Sequence, residues 1–315
     1  MISIVTVTFN AREHARECLR SVISASPMAG DYEHIVVDNA SGDDTAGMVA
    51  REFPGVILVR SGENLGFARG ANLGMRRARG EHLLLLNPDC VLPAGAVEGL
   101  VRFMDDHPRA GAVSPMLLTP EGLPQISYAR FPRLVPHLLG LSPLGWFVPG
   151  RFKDTGFGGV PPAREEKTHR EVDAPAGSCL LVRRAAYEST GGMDERFFTY
   201  YEDIDWAYRM AQDGWLRFYV PSVRVTHDMG ATWRTLPDGL QLARSYEGKY
   251  LYFTARCGRL GGPLVRWTTV WCARFNVLIG TMAARLGIRG GSWGRKLAFN
   301  SALLSAHRTY LRGRA

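Results

Sequence analysis

Long apolar runs, C-terminal acids and patterned cysteines are all scarce in this sequence, and each scarcity excludes something. No stretch of 18 or more uncharged apolar residues occurs, so no transmembrane helix is expected. The chain starts directly in a strand pattern, without a leader, so no signal peptide is expected. Five cysteines, Cys18, Cys90, Cys179, Cys257 and Cys272, are odd in number and widely scattered. They argue for a reducing cytosol and against a disulfide framework or a zinc site. No G-x-G-x-x-G follows the first strand, which runs into Thr8-Phe9-Asn10-Ala11-Arg12, and no G-x-x-x-x-G-K-[ST] exists anywhere. A nucleotide bound here must be held by side chains and a metal. Internal repeats and low-complexity segments are missing too.

What is present is an apolar share of 46%, ample for a core, in a length that suits one large domain or a domain with an appendage. The formal net charge of +8 is unevenly placed: residues 241–315 hold 13 Lys and Arg against one acid, Glu247, an excess of 12. The first 240 residues therefore carry −4. The tail is built to meet something anionic, and the front is not.

Taken in order, Ile2–Thr8 reads as a strand, 13–24 as a helix with Leu19, Val22 and Ile23 on its apolar stripe, and 33–38 as a second strand. Asp43 or Asp44 can cap a helix over Thr45–Glu52, and 56–59 is a third strand. Residues 64–74 form a helix with three glycines in nine residues, which implies close approach by something else. The four leucines 83–86 read as a buried central strand that completes a strictly alternating βαβαβαβ half. That alternation calls for a parallel sheet covered on both faces. A further strand is expected over 112–118. From 119 to 175 the periodicity fades, and Pro, Gly and aromatic residues recur (Trp146-Phe147, Pro149-Gly150, Phe157-Gly158-Gly159). Order returns with a strand over 176–182, helices over 184–189 and 203–211, and a strand over 215–220.

Two acidic clusters stand out. Asp89 lies just past the 83–86 strand, behind Asn87-Pro88. Ligands bind at that edge of an open α/β sheet, and a carboxylate there suits Mg²⁺ or Mn²⁺; it could equally cap the next helix, near Pro93. Glu202, Asp203 and Asp205 open a helix, where acids favour the macrodipole, and Asp205 pairs with Arg209 at i,i+4. Yet Phe197, Phe198, Tyr200, Tyr201 and Trp206 surround Glu202 and Asp203, and partial desolvation raises a carboxylate toward a general base. His227 follows a strand-like run, as a structural histidine or a metal ligand.

Thr6-Val7-Thr8-Phe9-Asn10, Val36-Val37-Asp38-Asn39-Ala40-Ser41, Asn64-Leu65-Gly66-Phe67-Ala68, Asn87-Pro88-Asp89 and Tyr201-Glu202-Asp203-Ile204-Asp205 follow one another in an order that resembles the family 2 inverting glycosyltransferases. The likeness covers residues 2 to about 235 and points to the bacterial rhamnosyltransferase branch, which residues 122–132 also resemble. It implies an α/β glycosyltransferase A fold, a Rossmann-like mixed sheet flanked by helices. The catalytic domain would span 1–240, with a nucleotide-sugar half of about 1–118 and an acceptor half of about 119–240, followed by a basic helical extension over 241–315. By position, Thr8 and Asn10 would line the nucleotide pocket, Asp38 would accept from the pyrimidine ring N–H, and Arg69 would lie near the diphosphate. Asp89 matches the metal-binding aspartate of a D-x-D whose first place is here Asn87, counted among the donor-binding residues. His227 matches a position that binds the metal in some relatives. Asp203 matches the general base, with Glu202 beside it as the second catalytic candidate.

The resemblance implies inverting transfer from a nucleoside diphosphate sugar, dTDP-L-rhamnose favoured over UDP-sugars, to a hydroxyl of a lipid-linked glycan on the cytoplasmic side of the membrane. A sugar-phosphate nucleotidyltransferase would need a Gly- and Lys-rich loop after the first strand, which is missing. A nucleic-acid-binding protein is disfavoured by the acidic front and the lack of any such module, so no nucleic-acid partner is expected. Residues 264–286 mix Trp267, Val270, Trp271, Phe275, Val277, Leu278, Ile279 and Met282 with Arg266, Arg274 and Arg285. This reads as an amphipathic helix in the headgroup layer of an anionic membrane, or as packing on the catalytic domain or a homodimer partner.

Overall fold

Strands buried along nearly their whole length belong inside a sheet covered on both faces. β1 (Ile2–Thr8) and β2 (Tyr32–Asp38) are buried at all but their first residue. The structure is a computed structural model that describes residues 1–25, 32–141, 167–228, 239–285 and 291–309. In it β1, β2, β3 (Ile57–Arg60) and the fully buried β4 (His82–Leu86) alternate with α1 (Arg12–Ala25), α2 (Thr45–Glu52) and α3 (Phe67–Met75). They pair in parallel in the order β3-β2-β1-β4. This is the mixed α/β architecture the alternation implies. The Trp146-Phe147, Pro149-Gly150 and Phe157-Gly158-Gly159 groups lie outside the described residues.

The second half of the sheet departs from simple alternation. After β5 (Cys90–Val91), α4 (Ala96–Asp106) and β6 (Ala110–Leu118), the 119–175 stretch contributes only short elements: β7 (Tyr128–Ala129), α5 (Leu134–Leu141), β8 (Arg170–Glu171) and β9 (Ala174–Pro175). Then follow β10 (Cys179–Arg183), α6 (Arg184–Thr190), α7 (Glu202–Gln212) and β11 (Leu216–His227). β10 runs antiparallel between β4 and β6, and β11 lies parallel to β6. The nine-stranded sheet reads β3-β2-β1-β4-β10-β6-β11-β5, with β8 beside β11, while β7 and β9 form a separate ribbon. β11 is twice the length read from the sequence. A register shift between Val220 and Arg224, at Pro221, divides it, and past the shift it pairs His227 with Cys90.

Ile4, Leu84, Leu86, Val113, Leu117, Leu181 and Val225 of the sheet pack with Val22 of α1 and Leu100 and Met104 of α4 in one core cluster. All five cysteines are free thiols. The close approach implied by the glycine-rich helix comes from the chain itself. A Cβ on Gly74 would sit 2.4 Å from Val5 Cγ1, one on Gly70 2.9 Å from Val7 Cγ1, and one on Gly66 (φ +79°) 2.4 Å from the Phe198 carbonyl oxygen. Glycine at Gly70 and Gly74 brings α3 down onto β1.

The chain divides into two compact units. The first, Met1–Phe131, Val160–Phe198 and Glu202–Thr235, holds the sheet. The second, Pro132–Gly159, Thr199–Tyr201 and Leu236–Ala315, holds α5 with α8 (Leu240–Cys257), α9 (Gly261–Arg285) and α10 (Gly291–Thr309). Within it Tyr250 Oη and His307 Nε2 share a 2.7 Å hydrogen bond between α8 and α10.

Gly74→Ala overpacks α3 against Val5 and is expected to cost about 1–3 kcal/mol of stability. Gly62→Ala, with nothing within 4 Å of its added carbon, is expected to stay within about 0.5 kcal/mol of wild type. Thermal unfolding of the two variants checks both values.

Candidate active site

Pro88 ends β4 because it has no N–H for the ladder. The chain turns there, and Cys90 N–H closes the turn on the Asn87 carbonyl at 3.1 Å. α4 begins only at Ala96, behind Gly95, so Asp89 caps nothing. Its Oδ1 is buried without a hydrogen-bond partner, as is the Oδ1 of Asn87. A cleft of about 310 Å³ nevertheless opens beside Asp89, with His14, Glu17, Thr226 and Asp228 in its wall.

The β11–β5 register brings His227 to this corner, and Asp228 N–H donates to the Asp89 carbonyl at 2.9 Å. His227 Nε2 lies 3.4 Å from Asp89 Oδ1. Gln125 holds the ring: its Nε2–H donates to the His227 carbonyl at 2.6 Å, which turns its Oε1 to His227 Nδ1 at 3.0 Å. An Nδ1–H donating to Oε1 leaves Nε2 as a lone pair on the Asp89 side. Donor atoms of Asp89, Cys90 and His227 all fall within 4.8 Å of one another. Cys90 is a poor third ligand: its thiol donates to the Ser178 carbonyl at 3.3 Å, and burial pushes it well above its ordinary range. One carboxylate, one imidazole and an adjacent unpartnered amide oxygen fit a hard or borderline divalent cation.

Asp203 reaches the same edge through the turn before β10. Gly177 N–H donates to Asp203 Oδ2 at 3.2 Å, and Ile204 N–H to Oδ1 at 2.8 Å. The next residue, Ser178, accepts the Asn87 N–H at 2.8 Å. Two consecutive residues thus join the Asp203 carboxylate to the Asn87-Pro88-Asp89 turn. A Cβ on Gly177 would meet the Asp203 carboxylate at 3.1 Å, so a larger residue there would press on the carboxylate.

Thr8 and Asp38 stand opposite each other in the β1–β2 register, with Thr8 Oγ1–H donating to Asp38 Oδ1 at 3.4 Å. Ser41 N–H donates to Asp38 Oδ2 at 3.2 Å. Asn10, at φ 48°, accepts from Gly42 N–H at 2.7 Å, and its own N–H donates to Ser41 Oγ at 3.0 Å. Arg69 is exposed on α3, 3.8 Å from Glu195, away from these groups in its contacts.

The profile described as Glycosyl transferase family 2 matches residues 3–189. The chain belongs to this family. It is 31% identical over 279 residues to an N-acetylglucosaminyl-diphospho-decaprenol L-rhamnosyltransferase of Mycobacterium tuberculosis, covering 85% of this chain and 89% of that one. It is 24% identical over 243 residues to the rhamnosyltransferase WbbL of Escherichia coli K12, covering 72% and 83%. Among solved structures, the mannosyltransferase PcManGT from Pyrobaculum calidifontis, in complex with GDP-Man and Mn²⁺, superposes with a TM-score of 0.58 at 18% identity, over 100% of this chain and 88% of that one.

Residues of this family 2 glycosyltransferase that pattern reading missed are structural partners of those it found. Gln125 sits in the aperiodic stretch, within the 122–132 segment that shares the resemblance, but nothing singles it out there. Asn39 Nδ2 donates to the Gly66 carbonyl at 2.9 Å, and Phe67 N–H to the Phe198 carbonyl at 2.6 Å. The Asn64-Leu65-Gly66-Phe67-Ala68 motif therefore secures the loop before the acidic cluster. Asp205 is fully buried, and Arg209 pairs with it at 2.9 Å as the i,i+4 spacing implied.

Burial pushes both neighbouring carboxyls up: Glu202 well above its ordinary range, first by desolvation and then by the charge of Asp203, and Asp203 by desolvation that its two backbone N–H partners oppose. Glu202 Oε2 has no hydrogen-bond partner. A raised folded-state carboxyl keeps its proton where the unfolded chain has lost it, so stability falls as pH rises from the unfolded value toward the folded one. Glu202→Gln removes that loss. Its melting-temperature advantage over wild type is expected to widen as pH rises from about 4.5 to neutrality. A gap that ignores pH would contradict the assignment.

Proposed function

We propose that this enzyme transfers L-rhamnose from dTDP-L-rhamnose, with inversion, to a hydroxyl of a polyprenyl-diphosphate-linked glycan, as a step in cell-surface polysaccharide assembly. The observation that carries the reading is the joining of Asp203 to the Asn87-Pro88-Asp89 turn through Gly177 and Ser178. It supports a proton acceptor acting near the turn where a leaving diphosphate would be neutralised. The 31% identity to an N-acetylglucosaminyl-diphospho-decaprenol L-rhamnosyltransferase over most of both chains supports the sugar and the acceptor class. A lipid-linked acceptor and a cytosolic nucleotide sugar put the enzyme at the inner face of the plasma membrane.

In this reading Thr8, Asn10 and Asp38 receive the nucleoside, Asn87 borders the diphosphate, and Arg69 would reach it only by leaving Glu195. Asp89 and His227 would hold a divalent cation, Mg²⁺ or Mn²⁺, which would supply positive charge against that of the departing nucleoside diphosphate. An acceptor hydroxyl, with a pKa far above neutrality, must lose its proton as it attacks C1. Asp203 takes that proton, its basicity raised by burial and its carboxylate held in place by Gly177 and Ile204. The acceptor oxygen bonds to C1 as the C1–O bond to the phosphate breaks, and the nucleoside diphosphate leaves with the electron pair. One displacement from the opposite face inverts C1 and needs no second carboxylate.

Release of nucleoside diphosphate from a donor panel, with a lipid-linked acceptor and with or without chelator, tests the reading. dTDP-L-rhamnose is expected to turn over fastest, and excess EDTA or Asp89→Ala to abolish nearly all transfer. Faster turnover of a UDP-sugar would replace the donor, and full activity in EDTA would refute the metal.

Asp203→Asn keeps the shape and removes the base, and its single amide oxygen can hold only one of the two backbone N–H donors, Gly177 or Ile204. Turnover is expected to fall by about 10²–10⁴ while donor binding holds and the melting temperature drops by no more than the loss of one hydrogen bond. Normal turnover in Asp203→Asn, with loss in Glu202→Gln, would move the role to Glu202.

A further inference from the structure

One face of α9 is apolar and open. Leu264, Trp267, Trp271, Phe275, Leu278 and Met282 are 37–67% exposed. At 100° per residue they fall within an arc of about 80°, in a row about 27 Å long. The rings of Trp271 and Phe275 stack along it with centroids 5.8 Å apart. Single exposed apolar side chains are ordinary on any protein, but a continuous stripe of large ones marks a contact surface. The helix already has a core face, where Val265, Thr269, Cys272 and Ala273 are buried. Gly262 seats that end of α9 on α8, where a Cβ would lie 2.4 Å from the Tyr250 carbonyl oxygen. The stripe is thus a second apolar face.

Charge decides what it meets. Arg274 and Arg285 are exposed, and the helical angle puts both along one edge of the stripe. Residues 241–315 carry an excess of 12 positive charges, and their one acid, Glu247, is bound to Arg244 at 2.9 Å. Two copies paired through this face would bring two such tails together against their mutual repulsion. An anionic bilayer accommodates both features. Tryptophan and aliphatic side chains enter the boundary between headgroups and acyl chains, and arginines meet phosphate. Among the described residues no helix is long and apolar enough to cross a membrane, so α9 would lie along the surface.

We infer that this face of α9 is a docking surface for an anionic phospholipid bilayer, with the helix in the plane of the headgroups. The inference deepens the reading of a lipid-linked acceptor and rests on it, but its test uses no catalysis, so either can fail alone.

The full-length protein is sedimented with vesicles of phosphatidylcholine, alone or mixed with phosphatidylglycerol, at low and high salt. Wild type is expected to bind the mixed vesicles and not the neutral ones, and to lose binding as salt rises. The triple variant Trp267→Ser, Trp271→Ser, Leu278→Ser is expected to bind at least about tenfold more weakly, with unchanged melting temperature and dTDP binding. Arg274→Gln with Arg285→Gln is a second variant that leaves the apolar row intact. At about fivefold per cation near an anionic surface, it is expected to weaken binding about 25-fold. Wild-type binding by both variants would overturn the inference. So would a wild-type dimer that the triple variant dissociates without lipid, because the face would then join two copies.

Discussion

A single backbone hydrogen bond, from Asn87 N–H to the Ser178 carbonyl at 2.8 Å, ties the site together. It continues the antiparallel pairing of β10 with β4 one step past Cys179↔Leu86. In an all-parallel sheet the start of a neighbouring strand would lie at the far edge. Because β10 runs backward, its start reaches the edge where β4 ends, and Gly177 N–H is left to grip Asp203. A slip of one residue in that pairing would send every side chain of β10 to the other face and remove the anchor of the Asp203 carboxylate. β11 does the same work on the other side: its shifted register carries His227 to Cys90, and so to Asp89.

Much of what surrounds this bond is locally unfavourable. Asn87 Oδ1, Asp89 Oδ1 and Glu202 Oε2 are buried acceptors without hydrogen-bond partners, and few groups in a folded protein are left so. Tyr200 and Tyr201, the two residues before α7, both hold positive φ, 68° and 73°, at about 1–3 kcal/mol each. The Tyr200 carbonyl sits 2.2 Å from where a Cβ on Gly248 would lie, so a glycine in α8 receives the turn. Asn10, Ala40 and Asp44 also take positive φ, and His82 and Glu98 hold unpartnered atoms elsewhere, but among the described residues only at 200–203 do strained backbone and raised carboxyls adjoin. That pairing is the pattern expected of a functional site.

The alternating half of the sheet was legible because each strand is short, apolar and bounded by turn residues. β1 and α2 were read residue for residue, and Leu83–Leu86 as the central strand. Asp89, Asp203 and His227 stand out in the sequence as candidates because their residue types are costly where they stand. What joins them was not. The reversal of β10, the shift within β11 at Pro221 and the two-residue β5 are tertiary pairings with no local period. Gln125 lies in the 122–132 stretch that shares the resemblance, but an amide there looks like any surface loop residue, so its hold on His227 did not show. The glycines of α3 announced a close approach but not its source, and a strand of the same chain filled the place a ligand could have taken.

In the proposed reading a single displacement assisted by Asp203, with the diphosphate near Asp89, sets the stereochemistry of transfer. The anomeric configuration of the product linkage, read from the one-bond carbon–proton coupling at C1, decides the matter. Wild type is expected to form a linkage opposite in configuration to the donor's sugar–phosphate bond, and Asp203→Asn to lose that product. A product that retains the donor's configuration would require a covalent glycosyl–enzyme intermediate or departure and attack on one face, and either would rule out the in-line displacement.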